Sequence, residues 1–312
     1  MHDMKVLGIG NAIIDVICKV EDNFIKKNNL VKSTMKLIDK DELERLLDKL
    51  KIEKTVSGGS VANTIVGLSQ LGNEVGFIGK VSDDRFGSKY EEGLIRENVK
   101  YYYNKKKEMI PTGTCLILVT PDSERTMCTY LGTAGAIRKS DIDINAVKKS
   151  KIVLLEGYLW DKGDPKTAFD LAIQYSSMTA MSLSDIFCVE RHKKDFINLV
   201  KNKLDIVFAN EQEIKSLSNA NSFQDIINFS KQIKKMFIIT RGENGALLIF
   251  GEEIIECNAK KGLNIVDLTG AGDLFAAGFL HGYINGFSFS KCLENGNELS
   301  SKIIQKIGAR LD

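Results

Sequence analysis

Proline is scarce: Pro111, Pro121 and Pro165 are the only three in 312 residues, against 26 glycines. That ratio excludes a proline-rich linker protein and suits permissive turns inside regular structure. Cysteine is sparse as well. The six, Cys18, Cys115, Cys128, Cys188, Cys257 and Cys292, form no C-x-x-C pair and are too few for a disulfide framework at this length, so reduced thiols are expected. His2, His192 and His281 stand far apart, which argues against a Cys/His zinc site. Charge of one sign is missing too. Lys+Arg total 43 against Asp+Glu 41, a formal net charge of +2, and this removes any global electrostatic case for nucleic acid or membrane surfaces. No apolar run approaches the ~18 residues of a membrane span, since Glu156 and Gly157 interrupt even Ile152–Trp160. Met1-His2-Asp3-Met4-Lys5 leads into a strand-like run without an apolar leader, so the cytoplasm is the expected compartment.

What remains is ordinary globular composition, 43% hydrophobic and 27% charged, with length for about two domains at ~150 residues each. Short apolar runs alternate with amphipathic stretches. Strands are expected at Lys5–Ile9, Val75–Ile78, Ile152–Leu155, Thr179–Leu183, Asp205–Ala209 and Met236–Thr240. Helices are expected at Asp41–Leu50, with Leu43, Leu46, Leu47 and Leu50 on one face, and near Phe86–Glu97. Strands apolar almost throughout suit a parallel sheet covered on both faces, hence a doubly wound α/β fold. Two stretches break the alternation. Ala12–Val20 and Leu30–Ile38 look extended without a crossover helix, and Thr112–Leu131 reads as a hairpin turning at Pro121-Asp122. Together, segments of about 12–38 and 99–132 are expected to build a small β-sheet lid that closes over substrate and excludes water. There is no internal repeat, and Lys105-Lys106-Lys107-Glu108 reads as a solvated loop.

Three glycine clusters carry chemistry to different degrees. Gly8-Ile9-Gly10-Asn11-Ala12-Ile13 begins like a dinucleotide fingerprint but has Ile13 at the third glycine and no following helix, which disfavours a dehydrogenase. Ser57-Gly58-Gly59-Ser60-Val61-Ala62-Asn63 opens a helix. Its paired glycines let backbone approach a ligand, and Asn63, one turn in, is placed to reach a hydroxyl-rich ligand. Strongest is Asp267-Leu268-Thr269-Gly270-Ala271-Gly272-Asp273. Gly270, Ala271 and Gly272 leave the amides of a helix start uncovered as an anion hole, and Asp273 puts a carboxylate base beside it. A base next to an anion hole suits phosphoryl transfer to a hydroxyl. Walker A, H-R-D and D-F-G sequences are absent, which excludes P-loop NTPases and protein kinases.

Gly58-Gly59, Asn63, Gly72, Gly79 and Gly87, together with Asp267…Thr269-Gly-Ala-Gly-Asp273, resemble the two signatures of the PfkB (ribokinase-like) carbohydrate and nucleoside kinases. Asn210-Glu211-Gln212-Glu213 is similar to the family's N-x-x-E element, and Thr240-Arg-Gly242-Glu-Asn-Gly245 to its T-x-G-x-x-G nucleotide element. The resemblance runs end to end and implies one ribokinase-like domain over 1–312: a mainly parallel sheet flanked by helices, with the small lid. It implies ATP and Mg²⁺ as cofactors and a small nucleoside or sugar as partner. Asp273 would be the base, and Asn11, Asp15, Gly58, Gly59, Ser60 and Asn63 would hold substrate hydroxyls. Asn210 and Glu213 would organise phosphates and Mg²⁺ through water; Thr240, Gly242, Gly245 and Asn297 would line the ATP site. Asp267 and Thr269 match a monovalent-cation position, where K⁺ is the expected ion, although Leu268 stands where a small or hydroxylated residue is usual.

The Gly10-Asn11-Ala-Ile-Ile-Asp15 spacing is similar to adenosine kinases, with kinases of fructose or ribose as the alternative and a non-catalytic sensor on the same fold as another. Tyr158 and Leu131 offer apolar walls for a purine, or ordinary core packing. Glu156, at the end of an apolar strand, is costly unless partnered and is expected near substrate, or else as a strand-terminal residue reaching solvent. Cys188 and His192 share a helix face at a spacing of four, as a thiol pair or as core packing. A monomer, or a homodimer through the lid edge, is the expected assembly.

Overall fold

The structure is a computed structural model and describes residues 4–122, 124–161 and 163–311; Met1-His2-Asp3, on which the expectation of no apolar leader rests, lies outside them. In chain order the strands are β1 (Met4–Ile9), β2 (Ile13–Lys19), β3 (Met35–Leu37), β4 (Lys54–Gly58), β5 (Val75–Ile78), β6 (Lys100–Tyr101), β7 (Gly113–Val119) and β8 (Arg125–Tyr130). They continue as β9 (Ser150–Glu156), β10 (Thr179–Ser182), β11 (Ile206–Asn210), β12 (Met236–Thr240), β13 (Ala246–Phe250) and β14 (Glu253–Cys257). The helices are α1 (Asp22–Lys27), α2 (Lys40–Leu47), α3 (Ser60–Gln70), α4 (Arg85–Arg96), α5 (Ile144–Lys149) and α6 (Pro165–Tyr175). After them come α7 (Ile186–Asn202), α8 (Glu211–Ser218), α9 (Phe223–Ile233), α10 (Ala271–Ile284) and α11 (Phe289–Ile303).

The large sheet runs β14-β13-β12-β11-β10-β9-β1-β5-β6 and is parallel except for the antiparallel hairpin of β12, β13 and β14 at one edge. Its inner strands are buried on both faces. Val6, Ile152, Leu154 and Ile206 face a core shared with α3, α10 and α11. Leu7, Ile9, Val153, Leu155 and Val207 face the core under α5 to α9. Continuous apolar runs therefore mark these strands, as a doubly covered parallel sheet requires.

The order in which strands are added reverses between the parallel neighbours β1 and β9: β5 and β6 extend one way from β1, and β9 through β12 extend the other. Ligands of such folds sit beyond the carboxyl ends of strands at that reversal. Asn11 follows β1 there, and Glu156 ends β9.

The second sheet has the order β3-β8-β7-β2-β4. It departs from expectation in three ways. Lys54–Gly58 contributes an edge strand, β4, from outside the two expected segments. Lys100–Tyr101, inside the 99–132 segment, pairs with β5 of the large sheet instead. Only Met35–Leu37 of the Leu30–Ile38 stretch is strand, and α1 separates it from β2. The first glycine cluster has a packing role: a Cβ on Gly8 would lie 2.6 Å from Ile65 and 2.7 Å from Val61 of α3. β1 then runs into β2 and no helix follows, so the dinucleotide geometry is absent.

Among the described residues no helix is long and apolar enough to cross a membrane.

Candidate active site

Register on the small sheet lines up one wall of the site. Asp15 on β2 is opposite Cys115 on β7, Cys115 is opposite Thr129 on β8, and Thr129 is opposite Leu37 on β3. All four line a cavity of about 350 Å³ together with Asn11, Ile13, Met35, Met127, Leu131, Glu156, Tyr158 and Phe187. A slip of one residue would turn that row to the other face. Gly58 belongs to this wall through close approach, since a Cβ there would lie 2.4 Å from an Asp15 carboxylate oxygen.

At the floor, Asn11 Nδ2 donates to Glu156 Oε1 at 2.9 Å, and the Val61 amide donates to Glu156 Oε2 at 3.0 Å. Glu156 is 1% exposed, and burial lifts its pKa to about 7 against the pull of those two donors. Burial likewise lifts Asp15 to about 7, opposed by the charges of Arg310 and Arg125. The Asn11 Oδ1 is buried with no partner, an acceptor left for a ligand hydroxyl.

Helices α3 and α10 cross closely, because a Cβ on Gly67 would already touch Ala277 and Leu274 at 2.9 Å. The crossing brings their first turns together. Ser60 Oγ donates to Asp273 Oδ1 at 2.6 Å, Asn63 Nδ2 donates to Oδ2 at 2.8 Å, and Thr64 Oγ1 donates to the Asp273 carbonyl at 3.0 Å. Asp273 is raised above the usual carboxylate range by burial, held back by the Ser60 and Asn63 hydrogen bonds and by Arg310. Gly270 caps α10 at φ +78°. The Ala271 amide turns to the Leu268 carbonyl at 3.2 Å, so of the three expected anion-hole amides it is already occupied. The Gly272 amide, in the first turn, has no intrahelical partner, and a Cβ on Gly272 would meet nothing within 4 Å. Leu268 is 65% exposed and borders the cleft.

That second cleft, about 540 Å³, runs along the carboxyl ends of β10, β11 and β12. Ser60 and Tyr158 line both cavities, and Asp273 with Gly270–Gly272 lines the second, where Asp273 bonds Ser60. Asn210, Glu213, Thr240 and Gly242 line its far part. Asn210 caps α8: its Nδ2 and amide donate to the two Glu213 oxygens at 2.6 and 3.0 Å, while the Glu213 amide returns a bond to Oδ1. Burial raises Glu213 to about 7. With both oxygens already accepting, this carboxylate fits Mg²⁺ held through water better than direct ligation. A larger cavity, about 960 Å³, lies elsewhere, beside Ile137, Ile142 and Leu171, and gathers none of these acids.

Three expected positions stand apart from the lining of this cleft. Asn297 does not line the cleft; its amide donates to the Asn258 carbonyl at 3.0 Å and ties α11 to the chain after β14. Gly245 also lies outside the cleft, where φ +84° and the Cys257 carbonyl at 2.0 Å from an added Cβ make it a turn requirement. The donor set at Asp267 does not fit a monovalent cation. Oδ1 accepts from the Thr269 amide (2.9 Å) and hydroxyl (2.7 Å), and Oδ2 accepts from the Gly308 amide at 2.8 Å. The Arg125 guanidinium of β8 then pairs with Oδ2 at 2.8 Å and supplies the positive charge. Cys188 and His192 lie together with Asp161, their ligand atoms all within 4.8 Å of one another. His192 bonds Asp161 at 2.9 Å, Asp161 also pairs with Arg191, and the Cys188 thiol donates to the Gly157 carbonyl at 3.3 Å. Burial and nearby Asp161 and Asp185 push that thiol far up, so it stays neutral.

Arg125, Arg310 and Phe187 were not found from sequence. The arginines act on residues far away in the chain, and Phe187 is recognisable only by its 64% exposure at the cavity.

Gly59 sits at φ +105°, and a Cβ there would lie 2.2 Å from the Asn11 carbonyl. Gly59→Ala is expected to lower the thermal midpoint and to weaken substrate affinity, because the strain of at least ~1 kcal/mol must be relieved by moving Asn11. Calorimetry of unfolding and of ligand binding reads both; an unchanged midpoint would refute this account of the turn.

The model of the pfkB family carbohydrate kinases matches residues 5–312. A solved adenosine kinase from Sinorhizobium meliloti is 36% identical, with a TM-score of 0.89 over 99% of this chain and 96% of that one. A probable sugar kinase from Rhizobium etli CFN 42 is 37% identical, with a TM-score of 0.88 and the same coverage. Adenosine kinase 2 of Arabidopsis thaliana is 24% identical over 98% of this chain and 95% of its own.

Proposed function

The chain belongs to the pfkB carbohydrate kinase family, a family of phosphotransferases acting on hydroxyl groups, and on that premise we propose that it transfers the γ-phosphoryl group of ATP to a hydroxyl of adenosine. The observation that carries this reading is the two-sided character of the 350 Å³ cavity. Its floor is polar, with Asn11, Asp15 and Glu156. The rest is mainly apolar, with Ile13, Met35, Leu37, Met127, Leu131 and Phe187 around Tyr158, while Asp161, Asp185 and Arg191 also line the cavity. A ribose matches the floor and a flat base fills the apolar part, whereas a free sugar would leave that part unfilled. The 36% identity to the Sinorhizobium meliloti adenosine kinase supports the same choice.

In this reading the Asp15 carboxylate and the unpartnered Asn11 Oδ1 accept hydrogen bonds from ribose hydroxyls, against the Gly58-Gly59 backbone. Asp273, oriented by Ser60 and Asn63, takes the proton of the attacking hydroxyl. The Gly272 amide and the positive end of α10 receive charge developing on the phosphoryl oxygens. Asn210 and Glu213 would hold, through water, the Mg²⁺ that screens the phosphates, while Thr240 and Gly242 border the nucleotide. The small sheet closes over the ribose and excludes water.

An ADP-release assay with Mg·ATP over adenosine, inosine, ribose and fructose tests the reading. Adenosine is expected to give the highest kcat/KM. A higher value for either free sugar would replace adenosine by that sugar, and the same kinase chemistry would stand.

A further inference from the structure

One short segment touches both halves of the site. The Gly308 amide donates to Asp267, next to the anion hole, and Ala309 packs against Gly270, where an added Cβ would lie 2.6 Å from the Ala309 Cβ. Arg310 then turns the other way. One of its terminal nitrogens donates to the Ala62 carbonyl at 3.1 Å, and the other donates to the Ser57 carbonyl. Leu311 is fixed in turn, its carbonyl accepting from Gln70 Nε2 at 2.8 Å.

The two carbonyls held by Arg310 bracket the substrate loop. Ser57 lies at the end of β4 and Ala62 in the first turn of α3. Between them stand Gly58 and Gly59, which meet Asp15 and Asn11, and Ser60, which bonds Asp273; Asn63 follows directly. No carboxylate lies within ion-pair distance of Arg310 among the described residues, so its hydrogen bonds go to backbone and its charge acts at longer range on Asp15 and Asp273. A planar fork spans two carbonyls in one geometry, and an ammonium on a flexible stem does not.

We propose that Arg310 is a positioning residue for phosphoryl transfer, clasping the Ser57 and Ala62 carbonyls so that the glycine turn and the Ser60–Asn63 donors keep Asp273 aligned with the acceptor hydroxyl. The idea rests on the kinase reading above, yet it makes a demand on loop order that holds for any acceptor. Arg310→Gln and Arg310→Lys test it. In both, amide exchange over residues 57–63 is expected to accelerate about tenfold while the strands of the large sheet exchange as before. With the acceptor that the wild type turns over, kcat is expected to fall between about tenfold and a hundredfold, with nucleoside dissociation constants within about threefold. Guanidinium ion added to Arg310→Ala is expected to restore part of kcat.

Unchanged exchange over 57–63 overturns the proposal whatever the acceptor proves to be. So does a kcat within twofold of wild type, or a loss of kcat, affinity and melting temperature together without rescue. A wild type that phosphorylates none of the acceptors would instead count against the kinase reading, and the exchange result would still decide the role of Arg310.

Discussion

Replacing Asp273 by Asn is expected to lower kcat by about a thousandfold, the middle of the range for losing a general base, while substrate still binds. The side chain keeps its size, so α10 need not move against α3. Asn keeps an acceptor for Ser60 Oγ, which lies 2.6 Å away in the wild type. The second carboxylate oxygen, which accepts from Asn63 Nδ2 at 2.8 Å, becomes a donor; the Asn63 amide restores the bond by flipping to present its own oxygen. Asp273→Ala is the poorer experiment because it strands both donors in a closed site. Asn11 and Asp15, which line the acceptor cavity, are untouched, so the nucleoside dissociation constant is expected within about threefold of wild type. Initial rates and titration calorimetry on the same preparation decide it. A kcat within tenfold of wild type would remove Asp273 as the base.

Much of this site was readable because its chemistry is packed into short stretches. Gly270–Asp273 puts a helix start and the carboxylate proposed as the base within four residues, and Asn210 and Glu213 form a capping pair within one helical turn. The strand ends that carry them were readable for a related reason: a buried parallel strand is a short apolar run, and the polar residue that ends it stands at the site. Long-range pairs were invisible. Arg125 reaches Asp267 across the sheet interface, and Arg310 reaches Ser57 across 253 residues of chain. Nothing near either arginine distinguishes it from a solvated one.

The misreadings have physical causes as well. β4 is Lys-Thr-Val-Ser-Gly, too polar and glycine-terminated to announce a strand, and it forms because β2 offers an edge. The resemblance alone places Asn297 at the nucleotide; in the fold its Nδ2 donates to a carbonyl 39 residues away. At Asp267 the resemblance supplied a cation site and the fold supplies an arginine.

Acidification is expected to weaken catalysis and strengthen the fold at the same time. Burial places Asp15 and Glu156 both at about 7, and it raises Asp273 in the same direction. Asp15 must be ionised to accept hydroxyl hydrogens, and Asp273 must be ionised to take one. The pH dependence of kcat/KM reports the free enzyme, so it is expected to fall at least tenfold per unit below about pH 7. Protonating Glu156 adds to the loss, because a neutral carboxyl no longer accepts equally from Asn11 and Val61. The sign for stability is opposite. The folded-state values of these acids lie above their unfolded values, so between about pH 4 and pH 7 the folded chain binds more protons than the unfolded one. The penalty of ionising them is absent below about pH 4 and complete above about pH 7, and Glu213, also at about 7, adds to it. From about pH 8 to about pH 5 the melting temperature is therefore expected to rise while kcat/KM declines. Initial rates and thermal unfolding over that range measure both. A flat kcat/KM, or a melting temperature that falls with acidification, would show that these carboxylates are solvated in the free enzyme. Glu156→Gln separates the contributions: it is expected to flatten part of the stability slope, while the loss that belongs to Asp15 and Asp273 persists in the rates.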